Sequence, residues 1–436
     1  MKNLFVIGLT DEHRQMMEAL PQCADVRIHG LLSFSEIRQA DQIPIRDVFA
    51  RAEAELAAFE ESIDGIVGNW DFPVNVLVPM LRERFGLPTT SLESVVKNEH
   101  KHWSRLIQSE VVPDNIPPFE GVDPFDEHAA EKIHMGFPFW LKPVIGFCSY
   151  LGFYIDDGEA LRNALELTRA NIGRIANPAT WVLDKIELPP GLGGTGGSPG
   201  AMCLAEGIIA GQQCTVEGYI TRGRASTYGV VDSIRTPSLG SFASYQYPSR
   251  LPEHVVERMR DITCRVVEHS GLGESPFNVE FFWDERTDHV WLLEINTRLS
   301  ESHTDMFEKV DGASNQGVMV GLALGNTPRV PRGEGEFNVA GKFFMRRFSD
   351  ALVTRVPTPE EVAQIQEELP GTKITIRPRE GEHLSDRPDQ DSYSYELAWI
   401  RIGADTHEEL DAKYNAVVER LQFEFEEQGE RGGPQL

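Results

Sequence analysis

Residues 277–300, FNVEFFWDERTDHVWLLEINTRLS, constrain this chain more than any other stretch. Two apolar runs flank the turn-forming residues 284–288, which predicts an antiparallel hairpin. Centred on Thr287, the hairpin sets Trp283 opposite Trp291 and Glu280 opposite Glu294. Side chains alternate along a strand, so Glu294 and Asn296 share a face, and Glu280 joins that face from across the pair. Two carboxylates directly opposite each other repel. Val, Phe, Leu and Ile flank them, so the face is partly buried and the repulsion costs more. A divalent cation between the two resolves the conflict. Two carboxylates and an amide oxygen are hard donors, suited to magnesium held together with nucleotide phosphates. The competing explanation is a carboxylate pair that shares a proton or pairs with arginine. Arg298 projects the same way as Asn296. Its planar guanidinium can clamp a phosphoryl or carboxylate group, or simply pair with a glutamate.

The first 90 or so residues alternate between strand and helix. Strands are predicted over 4–8, 26–29 and 63–68, and helices over 46–61 and 74–85, with Thr10 or Asp11 capping the helix after the first strand. Such alternation favours an open parallel sheet, whose ligands bind beyond the carboxyl ends of the strands. Asn69, Trp70 and Asp71 fall in that zone, or are simply a polar turn. Beyond them the pattern predicts a helix over 97–110 and a connector marked by Pro113, Pro117, Pro118 and Pro124. A strand over 137–143, a helix over 158–175 and a strand over 181–188 follow. Residues 202–209 and 214–220 read as paired strands around a turn at 210–213. Helices are expected over 252–270 and 316–324. The last hundred residues read as a smaller α+β unit, with strands over 337–348, 373–378 and 397–403 and helices over 360–368 and 407–427.

Lys142 ends an apolar strand and precedes a Gly/Ser-bearing turn. The cation and the turn amides together suit phosphate binding. Residues 191–196 match GxGxxG, with Glu217 further on, but a dinucleotide site needs a helix starting inside the motif. Here Ser198-Pro199-Gly200 and then a strand follow, so the glycine-rich loop 189–200 reads as a flap instead.

Acidic residues outnumber basic ones by 68 to 41, a formal charge of −27. This excludes nucleic acid or an anionic membrane as main partner, but not a small anion in a locally basic cleft. Five scattered cysteines without a CxxC pair read as reduced thiols of a cytoplasmic protein. No apolar run approaches a membrane span, and the apolar stretch at the start is too short for a signal peptide.

In order along the chain, KHWSRLI (101–107), FWLKPVIGFCSYLG (139–152), LAEGIIAGQQCTVEG (204–218) and the hairpin with EIN-x-R resemble the ATP-grasp superfamily. The likeness is strongest to its biotin-carboxylase-like members and L-amino acid ligases. It implies an α/β and α+β architecture in three parts: a leading parallel-sheet domain over 1–95, an ATP-grasp body over 96–335 and a trailing lid domain over 336–436. It also implies ATP and one or two magnesium ions, or manganese in their place. By position, Lys101 and Lys142 would contact ATP phosphates, and Gly146 to Ser149 would form the flap. Glu206, Gly207 and Ile208 would form the hinge beside adenine. Glu280, Glu294 and Asn296 would hold the metal, and Arg298 would stabilise an acyl phosphate.

Four departures stand out. Gln213 replaces the usual ribose-binding glutamate, so either Gln213 or Glu217 would serve the ribose. Cys148 stands where glycine is common. Thr297 replaces a proline. LSESH follows Arg298, so Ser300, Ser302 and His303 are candidates for the substrate pocket, His303 equally for a structural role. The resemblance implies a carboxylate–amine ligase acting on small molecules. Its rivals are a biotin-carboxylase-type subunit using bicarbonate and a non-catalytic nucleotide-binding regulator. A homodimer is the commonest assembly to expect.

Overall fold

Strand β1 (Lys2–Ile7) buries five of its six residues, as a strand covered on both faces must. It lies between β2 (Val26–Leu31) and β3 (Gly65–Val67) in a parallel sheet. Thr10 caps the intervening helix Asp11–Glu18 by accepting from the His13 amide. The computed structural model describes residues 1–38, 43–146, 150–194, 198–236, 240–387 and 394–426. Ser149 and Cys148, the flap beyond Gly146, and the centre of the 189–200 loop lie outside these.

A four-stranded antiparallel sheet follows, built from β4 (Phe119–Val122), β5 (Phe139–Pro143), β6 (Phe153–Ile155) and β7 (Cys203–Gly207) in the order β4-β7-β5-β6. Helices Gly158–Asn171 and Gly173–Leu183 belong to this lobe, which has a core of its own around Phe139, Leu141, Leu161 and Leu165.

The remaining long strands form one antiparallel sheet. β8 (Gln212–Thr221), β9 (Arg224–Arg235), β10 (Phe242–Tyr247), β11 (Ser275–Asp284) and β12 (His289–Asn296) come first. The trailing segment adds β13 (Val339–Arg347), β14 (Leu352–Arg355), β15 (Thr372–Ile376), β16 (Tyr395–Ala404) and β17 (Glu424–Glu426). The sheet order is β12-β11-β8-β9-β10-β13-β16-β15, while β14 and β17 pair as a separate ribbon. The trailing strands therefore continue the central sheet through the β10–β13 ladder. Helix Glu253–His269 buries Val255, Met259, Ile262 and Val266 at helical spacing. No described helix is long and apolar enough to cross a membrane, and Cys23, Cys203, Cys214 and Cys264 are free.

The α/β and α+β architecture is as expected, but several local readings need correction. Residues 181–188 are not a strand; they begin inside helix Gly173–Leu183, whose buried face carries Ile175, Ala179 and Val182. The predicted pairing of 202–209 with 214–220 fails, because β7 and β8 belong to different sheets. The helix over 97–110 is two helices, Leu92–Glu99 and Lys101–Val111, with His100 extended between them. The helix over 407–427 stops at Arg420, and β17 follows.

In the hairpin, Glu280 pairs with Glu294 as the sequence predicts, and Asn278 pairs with Asn296, but Trp283 faces Val290 rather than Trp291. A bulge at Leu293 shifts the outer half by one residue.

Candidate active site

The three sheets enclose a cavity of about 1440 Å³. The hairpin supplies Glu280, Glu294, Asn296 and Arg298 to its wall, and the turn after it supplies Ser300, Ser302 and His303. Across the opening stand Lys101, Lys142 and Gly146, with Glu206, Gly207 and Ile208 at the end of β7. Asn69, Trp70 and Asp71, beyond the carboxyl end of β3, also line it.

Because β11 is an interior strand, Glu280 meets groups from both sides. Gln213 Nε2 of β8 donates to its Oε2 at 2.9 Å, and Asn296 Nδ2 donates to its Oε1 at 3.3 Å. Burial, and then the Glu294 charge, push its pKa up to about 7, against the opposing pull of Arg298, Arg235 and Gln213. Glu294 keeps 31 % of its side chain exposed, with Lys101 Nζ 3.5 Å from Oε2. Lys101 also donates to the Gly146 carbonyl at 3.4 Å.

Arg298 is clasped rather than free. Its Nε donates to Asp71 Oδ1, its Nη1 to the Leu299 carbonyl at 3.2 Å, and its Nη2 to Asn296 Oδ1 at 3.4 Å. Burial opposes its charge, but Asp71, Glu99 and Glu280 outweigh that and hold its pKa above the ordinary arginine value. Thr297 explains its own presence: its amide and hydroxyl both donate to Glu99 Oε1, at 2.8 and 2.6 Å. A proline there would offer neither donor. Burial raises the Glu99 pKa, and these two bonds partly offset it.

Glu206 is a different kind of carboxylate. It is 2 % exposed and lies between Arg105 Nε at 2.7 Å and Lys142 Nζ at 2.6 Å. Burial alone would raise its pKa, but Arg105 and Lys142 prevail and bring it down to about 2. Arg105 Nη2 also donates to the Leu293 carbonyl at 2.5 Å, so the hairpin bulge presents an acceptor that the guanidinium takes up.

Gln213 and Glu217 sit behind the wall rather than on it. Gln213 accepts from Arg235 Nε at 2.8 Å while donating to Glu280. Glu217 is fully buried, bonded to Tyr228, to the Ser300 amide and to His303. Ser302 Oγ accepts from Lys342 Nζ at 3.0 Å.

Sequence reading did not single out Glu99, Arg105, Lys342 or Arg346. For Glu99 and Arg105 the partners are 198 and 101 residues away, and no local pattern marks them. Lys342 did carry a signal: like Lys142, it interrupts an apolar strand. No cluster of three or more His, Cys, Asp or Glu side chains that could hold a metal occurs among the described residues. Glu280, Glu294 and Asn296 are two carboxylates and an amide, a donor set that phosphate oxygens would have to complete.

Residues 246–329, which include the hairpin, match the family described as carbamoyl-phosphate synthase L chain, ATP binding domain. No curated protein matches the chain. The structure is similar to an L-amino acid ligase from Bacillus licheniformis at 17 % identity, covering 98 % of this chain and 99 % of that one, with a TM-score of 0.71. It is also similar to the biotin carboxylase domain dimer of Hydrogenobacter thermophilus 2-oxoglutarate carboxylase, in complex with MgADP, ADP and bicarbonate. That likeness has 15 % identity, 97 % and 90 % coverage and a TM-score of 0.66. A carboxyaminoimidazole ribonucleotide synthase from Aspergillus clavatus complexed with ATP matches at 13 % identity over 96 % and 98 %, with a TM-score of 0.64.

Proposed function

We propose, starting from the ATP-grasp fold that this chain adopts, that the protein is an ATP-dependent carboxylate–amine ligase working through an acyl phosphate. One observation carries the reading: Glu280 and Glu294 oppose each other across the hairpin on the wall of the cavity that Lys101, Lys142 and Arg298 also line. Two half-buried carboxylates, with burial and the facing charge raising the pKa of Glu280, call for a cation, and the protein side chains present fit one. Relatives bound to MgADP and to ATP support magnesium and ATP as its partners.

In this reading Glu280, Glu294 and Asn296 hold magnesium, which when bound supplies charge neutralisation between the carboxylates and the phosphates. Lys101 and Lys142 bind phosphate oxygens; Lys142 brings less net charge, because Glu206 shares it. Gly207 and Ile208, at the exposed end of β7, border the base. Arg298, held in place by Asp71 and Asn296, stabilises the charge that develops on the acyl phosphate. The natural working units are residues 1–95, 96–335 and 336–436.

A biotin-carboxylase-type activity draws support from the likeness to the 2-oxoglutarate carboxylase domain. Phosphate release with paired amino acids and small carboxylates, read against bicarbonate, separates the two, and mass spectrometry identifies the product. Release that needs an amino acid supports the ligase. Release that needs only bicarbonate defeats it.

A further inference from the structure

An amine that arrives as ammonium must lose a proton before it has a lone pair to attack an acyl phosphate, and the magnesium and phosphate ligands above supply no group for that. The turn after Arg298 does. His303 lines the same cavity, and its Nδ1 lies 2.8 Å from Glu217 Oε1. Glu217 is fully buried. It also accepts from the Ser300 amide at 3.0 Å and, through Oε2, from the Tyr228 hydroxyl at 3.1 Å. Burial and Glu217 push the Tyr228 pKa well up, so the phenol stays a donor. Three donors on one carboxylate suit its ionised form, and that form requires the proton on Nδ1 of the ring. Nε2 is then the basic nitrogen, and it makes no hydrogen bond among the described residues. Tyr245 sets the plane of the imidazole edge-on at 5.0 Å, and Phe307 does so at 6.4 Å. Tyr245 of β10 and Phe307 of helix Thr304–Asp311 pack on the ring and Tyr228 of β9 bonds its carboxylate, while the charged side chains Glu301 and Lys342 on the adjoining elements pair with each other.

We propose that His303 is the general base that takes a proton from the amine nucleophile, with Glu217 as the residue that positions it; this rests on the ligase reading above. The ammonium gives one proton to His303 Nε2, leaving a neutral amine and an imidazolium. The amine lone pair forms the C–N bond at the acyl carbon. The bond between the acyl carbon and the bridging phosphate oxygen breaks, and phosphate leaves with that electron pair. The second nitrogen-bound proton goes to the departing phosphate, and the imidazolium later returns its proton to solvent. The fixed ring on the cavity lining, the buried carboxylate behind it and the second nitrogen without a hydrogen bond among the described residues form the arrangement by which a general base is recognised.

Hydroxylamine separates this step from activation, because it is uncharged at neutral pH and needs no base. The full chain is supplied with ATP, magnesium, hydroxylamine and a panel of the twenty standard amino acids and short mono- and dicarboxylic acids, and hydroxamate is measured. The same carboxylates are then paired with amino acids as amines. His303→Asn retains a donor to Glu217 but has no basic nitrogen. Amide formation is expected to fall by about 10²–10⁴-fold, far more than hydroxamate formation does. The residual amide rate should climb with pH as free amine accumulates. Glu217→Gln should lower kcat for the amine without raising its KM, and Glu217→Asp should recover part of it. Equal loss of hydroxamate and amide in His303→Asn, or an undiminished amide rate, overturns the proposal. No hydroxamate from the wild-type chain with any acid of the panel defeats the ligase reading itself.

Discussion

Two glutamates on the cavity wall show opposite electrostatics. Glu206 is buried between Arg105 and Lys142 and is held to about 2. Glu280 faces Glu294 and is pushed up to about 7, with two amide side chains, Gln213 and Asn296, as its hydrogen-bond donors. The difference separates a carboxylate whose charge the fold has already answered from one whose charge it has left to a ligand. Glu206 joins the four-stranded lobe to helix Lys101–Val111. Glu280, which has no cationic side chain bonded to it among the described residues, is the carboxylate that the proposed function assigns to a cation.

This contrast can be broken from either side. The largest effect is expected at the answered site. Glu206→Ala leaves two cations unpaired, one of them the buried Arg105, and should destabilise the protein by about 3–5 kcal/mol in urea unfolding. A loss below 1 kcal/mol would show that the ion triad is not structural. At the unanswered site, Glu294→Gln should cost about 10²–10³ in kcat for ATP-dependent phosphate release while leaving the melting temperature unchanged or higher. Near-normal turnover in that variant would remove the hairpin from the active site.

The two pKa shifts also predict different pH behaviour. Glu280 is raised from 4.5 to about 7, so its contribution to stability is fully present below pH 4.5 and is lost as pH rises through about 7. The ligand-free protein should melt at progressively lower temperature across that window. Glu280→Gln should flatten the slope, and magnesium with ATP should reverse it. Glu206 is lowered to about 2, so its contribution persists above pH 4.5 and is lost only as pH falls through about 2. A wild-type melting profile that is level from pH 4.5 to 7 would contradict the Glu280 assignment. The smallest effect belongs to Thr297→Val, which removes one hydroxyl donor from Glu99 and should cost about 1 kcal/mol in thermal or urea unfolding.

The sequence carried the opposed pair because strand alternation and a short turn determine which residues face each other. It did not carry the bulge at Leu293, since nothing in LLEIN marks an extra residue, and the two tryptophans were therefore misaligned. Residues 181–188 misled for a related reason. WVLDKIEL is apolar enough for a strand, yet Ile175, Ala179 and Val182 form a buried helical stripe that runs into it. The clasp on Arg298 was half visible: Asp71 fell in the expected ligand zone, but Glu99 reaches Thr297 across 198 residues. Such contacts are fixed by the packing of three separate sheets, and a single chain read in order holds no local trace of them.

The long antiparallel ladder has a mechanical meaning. From β12 to β15 every neighbour is joined by backbone hydrogen bonds, so the hairpin and the trailing segment share one continuous anvil. The smaller sheet has its own core and no strand in that ladder. Arg105 ties the two together, donating to Glu206 of the smaller sheet and to the Leu293 carbonyl of the larger one.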